Sequence, residues 1–247
     1  MEPGNIIQIT NLSKTFNGNA VLDEIDLRLS HGENLVVLGK SGAGKTVLLK
    51  CMVGLIRPDR GDIKLFDRDI VNCTPAELDE VRTRIGYVFQ QGALYDSISL
   101  RENMLFPLLR NAIFFRTPVL EMEERIERNL RSVSLLDAID KMPAELSGGM
   151  KKRAGLARAL MLKPELMLYD EPTAGLDPFT AKEISDLIVS IQHEYGTASV
   201  IVTHDMKCAE TVSDRICILE YGKFIAEGDY KTLRTYHDHQ VSMFFTT

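Results

Sequence analysis

The sequence predicts an α/β protein that has a mixed parallel core sheet, an antiparallel β subdomain and an α-helical subdomain. Compact apolar runs at 166–169 and 199–203 look buried on both faces and alternate with helical periods, which predicts parallel strands. Early segments such as 21–29 alternate apolar and polar residues between short turns, which predicts antiparallel strands. The interval from about 97 to 142 has no convincing strand, so we expect a helical insertion there.

Strands are predicted wherever apolar residues alternate, or form short runs, between turn residues. In chain order the predicted strands are 6–10, 21–29, 34–38, 62–66, 85–89, 166–169, 199–203, 216–220 and 223–226. The last two strands flank a Tyr-Gly pair, which indicates a hairpin.

Helices are predicted in the gaps between the strands. Apolar residues recur at three- and four-residue spacing along 119–133, and 148–162 and 179–195 have helical periods too. We therefore expect one domain over 1–247. Its core and antiparallel subdomain take 1–90 and 163–228, its helical subdomain takes 91–162, and a C-terminal helix and tail take 229–247.

Composition excludes several classes of protein. The 247 residues are 45% hydrophobic and 26% charged, which is ordinary for a globular protein. The net charge of −6 predicts that the protein does not bind nucleic acid, because phosphate neutralisation needs a surplus of basic residues. The four cysteines form neither a CxxC pair nor a metal-ligand spacing, which favours a reducing compartment.

No membrane or export segment is predicted. The N-terminus lacks the basic and long apolar regions of a signal peptide, and no apolar stretch approaches the roughly 18 residues that a spanning helix needs. We expect a cytoplasmic protein, and any work at a membrane would go through another chain.

The stretch GKSGAGKT, between an apolar run and a helical one, satisfies the Walker A pattern of nucleotide-binding loops. Its glycines let backbone N–H groups approach phosphate oxygens, and the following helix points its positive dipole end at the same anion. We expect Lys45 to reach the β- and γ-phosphates and Thr46 to bind Mg²⁺. The predicted loop consists of Gly39, Lys40, Ser41, Gly42, Ala43, Gly44, Lys45 and Thr46.

Two carboxylates follow the apolar run at 166–169, in the Walker B arrangement. Asp170 would hold Mg²⁺ directly or through water, and Glu171 lies where it could act as a general base on an attacking water. A surface acidic pair after a buried strand is the alternative interpretation, and the phosphate loop in the same chain disfavours it.

The stretch ELSGGMKKRAGLARAL puts Ser147, Gly148 and Gly149 at the start of a predicted helix. A hydroxyl and free N–H groups at a helix N-terminus make a second anion site, although an ordinary serine N-cap is an alternative. The stretch resembles the signature sequence of ABC-transporter ATPases, and it stands between Walker A and Walker B as it does in that family. The resemblance extends from Phe16 to at least Gly228 and implies a P-loop NTPase fold of ABC type, with ATP and Mg²⁺ as cofactors.

The same resemblance implies roles for four more residues. Phe16 matches the aromatic residue that stacks on adenine, although a core phenylalanine is the alternative. Gln90, rather than Gln91, matches the glutamine that touches Mg²⁺ or the γ-phosphate region and begins the helical insertion. Asp177 matches the D-loop aspartate, and His204 matches the histidine that senses the γ-phosphate.

The resemblance also implies that two chains work together. In the family, each ATP lies between the Walker A loop of one ATPase domain and the signature of the other. This chain holds one complete set, so a second copy of itself is the expected partner. ATP would then close the pair, and hydrolysis would open it.

The class of ABC protein is inferred from what the chain carries. One ATPase domain without a spanning segment fits a transporter subunit beside an integral-membrane permease. Met150 in the signature and the stretch 89–108 resemble the ATPase of phospholipid transporters that maintain lipid asymmetry and are associated with MCE lipid-binding proteins.

That resemblance implies an inner-membrane location, on the cytoplasmic face. It also implies that the apolar tail at 241–245 engages the neighbouring ATPase or a small cytoplasmic regulator. A tail packed on its own domain is at least as good an interpretation. An importer of amino acids or other small solutes and a soluble non-transport ATPase remain alternative functions.

Overall fold

The computed structural model describes residues 4–111 and 118–245, and these form two sheets with helices around them. The strands are β1 (Asn5–Phe16), β2 (Asn19–Ser30), β3 (Asn34–Leu38), β4 (Arg60–Leu65), β5 (Arg68–Asp69), β6 (Ile85–Val88), β7 (Leu166–Asp170), β8 (Ala198–Thr203), β9 (Arg215–Glu220) and β10 (Lys223–Gly228). The helices are α1 (Lys45–Met52), α2 (Pro75–Arg82), α3 (Leu100–Arg110), α4 (Val119–Ser132), α5 (Gly148–Ala159), α6 (Pro178–Tyr195), α7 (Met206–Val212), α8 (Tyr230–Arg234) and α9 (His239–Ser242).

The larger sheet has the strand order β10-β9-β3-β8-β7-β6, and its strands are parallel except for the antiparallel β9–β10 pair. The smaller sheet has the order β2-β1-β4-β5 and is antiparallel. The predicted fold class, a mixed parallel core sheet with an antiparallel β subdomain and helices, is therefore confirmed.

The central strand β3 explains how the layers are assembled. All five of its residues are buried, and successive side chains point to opposite faces. Leu35 and Val37 pack with the antiparallel sheet and α1, whereas Val36 and Leu38 pack with the helices on the other face. Since both faces are covered, residues 35–38 are continuously apolar, and the phosphate loop begins at the carboxyl end of the strand.

Some elements differ from the predictions for identifiable reasons. The first strand reaches Phe16 instead of residue 10 because an irregularity between Ile9 and Leu12, with Asn11 at a φ of 52°, interrupts the alternation. The helix predicted over 148–162 ends as an α-helix at Ala159 and continues as a 3₁₀ turn. The two-residue strand β5 and helix α2 have too few buried residues to give a periodic signal.

Helices α3, α4 and α5 pack together in the region where a helical insertion was predicted, around buried residues that include Met104, Ile126 and Leu130. The boundaries of that subdomain at 91 and 162 remain a prediction. Within 4–111 and 118–245, no helix is long and apolar enough to cross a membrane. The tail lies on its own chain, with Val241 buried and Phe244 and Phe245 packed against the main core.

Candidate functional site

The glycine-rich loop leaves the carboxyl end of β3 through a space that only glycines fit. The Gly39 N–H donates to the Thr203 carbonyl oxygen at 3.2 Å, and a Cβ on Gly39 would lie 2.6 Å from the Leu219 carbonyl oxygen. Gly44 has a φ of 103°, and a Cβ there would lie 2.6 Å from the Val21 carbonyl oxygen. Close packing therefore excludes a side chain at Gly39, and close packing together with a positive φ excludes one at Gly44.

Lys45 begins α1 and is buried inside the loop. Its ammonium donates to the carbonyl oxygens of Gly39 at 2.7 Å and Lys40 at 3.0 Å, and it lies 3.0 Å from Glu171 Oε1. An ammonium group aimed inwards at the start of a helix makes a concentrated positive site, which suits an anion. Lys40 turns away from this site, because its own ammonium pairs with Glu220 at 3.1 Å.

Thr46 and Asp170 form an oxygen-rich pair beside the loop. The Thr46 hydroxyl donates to Asp170 Oδ1 at 2.9 Å, and the Tyr87 hydroxyl donates to Oδ2 at 3.5 Å. Burial raises the pKa of Asp170, so its charge is poorly compensated by the chain alone. Oxygen donors of this kind fit Mg²⁺. The described residues contain no cluster of three or more histidine, cysteine or acidic side chains able to hold a metal, so the ion would need ligands from phosphate and water.

Glu171 follows β7 in a left-handed conformation, with a φ of 49°. One carboxylate oxygen faces Lys45, while Oε2 accepts from the His204 backbone N–H at 3.3 Å and lies 2.8 Å from His204 Nδ1. The carboxylate is therefore held from two sides, by an ammonium and by an imidazole. This geometry suits a base that must point in one direction.

A cavity of about 280 Å³ joins these groups. It brings together the loop, Gln90, Glu171 and His204, which are far apart in the sequence. Its lining consists of Val21, Ser41, Gly42, Gly44, Lys45, Thr46, Val47, Gln90, Glu171 and His204. Ala43 lies in the same loop and donates its N–H to the Lys40 carbonyl oxygen at 3.2 Å.

Phe16 does not line this cavity. It ends β1, pairs with Asn19 at the turn into β2, and is 40% exposed. The Lys14 ammonium lies 5.2 Å from the centre of its ring. A ring with this exposure does not fit the alternative of a core phenylalanine.

Ser147, Gly148 and Gly149 lie away from the phosphate-loop cavity. The Ser147 hydroxyl caps α5 by accepting from the Met150 N–H at 3.2 Å, and a Cβ on Gly149 would lie 2.7 Å from a methyl of Thr180. Gly148 lines a different cavity of about 560 Å³, to which Gln90 also contributes. Gln90 is thus the predicted residue that the structure puts beside both regions.

Asp177 caps α6. Its carboxylate accepts from the N–H groups of Phe179 at 3.0 Å and Thr180 at 3.1 Å, and from the Thr180 hydroxyl at 2.6 Å. Hydrogen bonds from Thr180 lower the pKa of Asp177. Within one chain, this residue joins α6 to the loop that precedes it and does not line the cavity around Lys45.

Two residues that the sequence analysis did not single out contact the site. Tyr87 reaches Asp170, and the Lys152 ammonium donates to the backbone carbonyls of the loop after Glu171. Tyr87 gave no signal, because a tyrosine in a buried strand is usually a core residue. Lys152 gave a weak one, since a lysine in a run of basic residues is usually exposed.

Comparison with known proteins agrees with this architecture. The family described as ABC transporter matches residues 22–174. The probable ribonucleotide transport ATP-binding protein mkl of Mycobacterium leprae (strain TN) is 38% identical over 99% of this chain and 70% of that protein. The methionine import ATP-binding protein MetN 1 of Bacillus cereus (strain ZK / E33L) is 37% identical over 95% of this chain and 68% of that protein. The chain thus spans about two thirds of the length of these curated relatives.

Two solved structures have the same fold. The ATP-binding cassette MJ0796, solved as a dimer in a post-hydrolysis state bound to ADP and Pi, has a TM-score of 0.82 and 29% identity over 90% of this chain and 98% of its own. The structure of cbiO1 from Clostridium perfringens, part of the ABC transporter complex cbiONQ, has a TM-score of 0.84 and 29% identity over 93% of this chain and 90% of its own. The chain therefore belongs to the ABC transporter family and is an ATPase of that family, which binds ATP with Mg²⁺.

Proposed function

We propose that two copies of this chain form the working ATPase, with each ATP held between the phosphate loop of one copy and Ser147 of the other. One observation carries this proposal. Ser147 and its two glycines begin a helix with free N–H groups, yet none of the three lines the cavity around Lys45. The similarity to the dimeric cassette MJ0796 bound to ADP and Pi supports the same arrangement.

In this arrangement the phosphate loop binds the phosphates of ATP. The backbone of residues 39–44 wraps the phosphates, and Lys45 binds the β- and γ-phosphates. Thr46 and Asp170 hold Mg²⁺, whose charge offsets that of the phosphates, and Gln90 reaches the same region from the cavity wall. The oxygen donor set and the poorly compensated charge on Asp170 support this assignment.

Glu171 takes the proton from the attacking water, and His204 orients the Glu171 carboxylate. The contact between His204 Nδ1 and Glu171 Oε2, at 2.8 Å, holds the carboxylate in one direction. The Lys45 ammonium lies 3.0 Å from the other oxygen of that carboxylate. A general base of this kind contributes about 10²- to 10⁴-fold to a reaction rate.

ATP closes the pair, and its cleavage opens the pair again. ATP contacts both copies only in the closed state, so its binding favours closure by the difference between its affinities for the two states. Asp177, in the turn that leads into α6, belongs to the surface between the copies in this proposal. The opening and closing motion is the step that a membrane subunit would use.

We propose further that the partner is an integral-membrane permease and that the cargo is phospholipid, at the cytoplasmic face of an inner membrane. The stretch 89–108 and Met150 carry the resemblance to lipid-asymmetry transporters. Tyr95 and Phe106 in that stretch are 46% and 40% exposed, their rings lie 4.6 Å apart, and Leu109 nearby is 58% exposed. An exposed apolar group beside the Gln90 loop suits a contact with a membrane subunit.

An MCE lipid-binding protein and a small cytoplasmic regulator would complete such an assembly. Transport of ribonucleotides or import of methionine is the second candidate function, because similar proteins are named for those activities. Those names describe longer chains, and about a third of each relative has no counterpart in this chain. Their cargo is therefore a proposal for this chain.

Purification of the intact complex from membranes tests the transport proposal. Mild detergent extraction through a tag on this chain should recover a permease and an MCE protein, with phospholipid detected by mass spectrometry. A permease that binds a solute, without an MCE protein or enriched lipid, would overturn the phospholipid assignment and leave the ATPase mechanism untouched.

Replacing Phe16 with alanine should weaken ATP binding by about 1–3 kcal/mol, the usual value of stacking one base on an aromatic ring. GTP should lose similar affinity, because stacking tolerates any base. Titration with a fluorescent ATP analogue measures the effect, and Tyr236→Ala, which removes an aromatic ring of 48% exposure from the segment after α8, is the control. Unchanged affinity in Phe16→Ala would rule out the stacking role.

A further inference from the structure

We propose that Lys152 is a positioning residue for Glu171, and that α5 uses it to link the partner-facing Ser147 to the catalytic base of its own chain. The inference rests on the function proposed above, since it takes Glu171 as the base. It adds a residue for which the sequence predicted no role. It also gives the two ATP sites of the pair a physical connection through one helix.

The contacts of Lys152 are concentrated on one loop. Its side chain is buried, and its ammonium donates to the carbonyl oxygens of Glu171 at 3.3 Å, Pro172 at 2.8 Å and Ala174 at 2.6 Å. A lysine ammonium has three N–H donors, so the loop takes all of them. Burial lowers the pKa of Lys152, and these three carbonyl dipoles are what compensates its charge.

The loop that Lys152 holds has an unfavourable backbone conformation. Glu171 has a φ of 49°, which a side chain larger than glycine adopts only when its surroundings impose it. The Glu171 carbonyl also accepts from the Ala174 N–H at 3.2 Å. Thr173 in the same loop donates its hydroxyl to Asp205 at 2.9 Å, next to His204. Fixing the Glu171 carbonyl therefore fixes the direction of its side chain toward Lys45 and His204.

A second part of α5 holds the loop that follows Gln90. A Cβ on Gly155 would lie 2.8 Å from the Gly92 carbonyl oxygen, and Arg158 Nη1 donates to the Ala93 carbonyl oxygen at 2.7 Å. Helix α5 thus contacts both the loop after Glu171 and the loop after Gln90, and these two residues line the cavity around Lys45. A shift of its N-terminus on binding the partner's ATP would move Glu171 and Gln90 together.

The test compares three variants of the full chain. Lys152→Met keeps the length of the side chain and removes its donors, Lys152→Arg keeps charge and donors, and Lys151→Met removes the neighbouring charge from the same helix. Steady-state phosphate release should show kcat falling about 10- to 100-fold in Lys152→Met, the scale on which misplacing a catalytic group by 1 Å acts. KM for ATP should stay within about twofold, because the phosphate loop is untouched.

Hydrogen exchange adds a readout that a general loss of stability would not give. In Lys152→Met, exchange should speed up over residues 171–176 and stay unchanged over β8. Lys152→Arg should recover most of kcat, and Lys151→Met should match the unmodified chain. Should Lys152→Met not fold, Lys152→Gln, which retains one amide group as a donor, takes its place with the same expected direction.

Two results would overturn the inference: an unchanged kcat in Lys152→Met, or a loss of ATP affinity that matches the loss of kcat. Glu171→Gln measured beside it separates the failures. If Glu171→Gln hydrolyses ATP normally, the proposed base is wrong and the positioning role falls with it. If Glu171→Gln is inactive while Lys152→Met is active, the positioning role alone is wrong.

Discussion

Replacing Glu171 with glutamine is expected to lower the rate of ATP hydrolysis by about 10²- to 10⁴-fold, the contribution of a positioned general base. Glutamine has nearly the same shape and can still accept from the His204 N–H, but it cannot take a proton from water. The change also frees Lys45 from its buried ion pair. ATP affinity should therefore be maintained or increased, and ATP should accumulate uncleaved in a closed pair of chains.

Single-turnover hydrolysis with radiolabelled ATP measures this rate directly, and size-exclusion chromatography reports the closed pair. Glu165→Gln is the matched control, because Glu165 immediately precedes the same strand, β7, and pairs with Arg84. Hydrolysis by Glu171→Gln at the unmodified rate would show that another group activates the water.

Replacing Lys45 with alanine should weaken ATP binding about 10- to 150-fold, which corresponds to the 1.5–3 kcal/mol of a hydrogen bond to a charged group. The phosphates lose their closest cation, and Glu171 is left buried without its ammonium partner. The two effects act in the same direction, since an unpaired carboxylate also repels phosphate.

Isothermal titration with ATP and Mg²⁺ measures the affinity of the Lys45→Ala variant. Lys64→Ala removes a lysine from the outward face of β4, between buried Ile63 and Leu65, and serves as the control. An affinity for ATP within about twofold of the unmodified value would exclude Lys45 from phosphate binding, because a charged hydrogen bond is worth far more than that.

The fold was predictable because the buried core strands appear in the sequence as short apolar runs. Strand β3 occupies the predicted residues, since the four consecutive buried side chains of residues 35–38 form a clear apolar run. The length of β1 was not predictable, because its irregular register near Asn11 breaks the alternation on which strand prediction depends. Helix α2 is mostly polar and buries Val81 alone. Its capping box indicates a helix start, but no apolar periodicity follows it, so the helix was not predicted.

The site was predictable where one short motif carries the chemistry. The loop around Lys45 and the pair Asp170 and Glu171 were read from spacing, and ATP hydrolysis with Mg²⁺ is confirmed by the family. Contacts between distant segments were not predictable. The hydrogen bond from Lys152 to the Pro172 carbonyl oxygen joins residues that are 20 positions apart in the sequence. It depends on how α5 packs against the edge strand β6. Phospholipid cargo remains a proposal, because no short motif of this chain identifies a cargo.

The composite site is the central claim, and pairs of differently mutated chains test it most directly. Ser147→Arg blocks a signature with a bulky side chain, and Lys45→Ala weakens a phosphate loop. Two differently tagged chains, both in a Glu171→Gln background, are co-purified so that each pair contains one of each. The measurement is the number of slowly exchanging ATP molecules per pair.

With Ser147→Arg on one chain and Lys45→Ala on the other, both defects fall in the same composite site, so one ATP per pair should be retained. With both changes on one chain and none on the other, each site carries one defect, so no ATP should be retained. The reverse outcome, retention of ATP only when one chain carries both changes, would mean that each chain completes its own site.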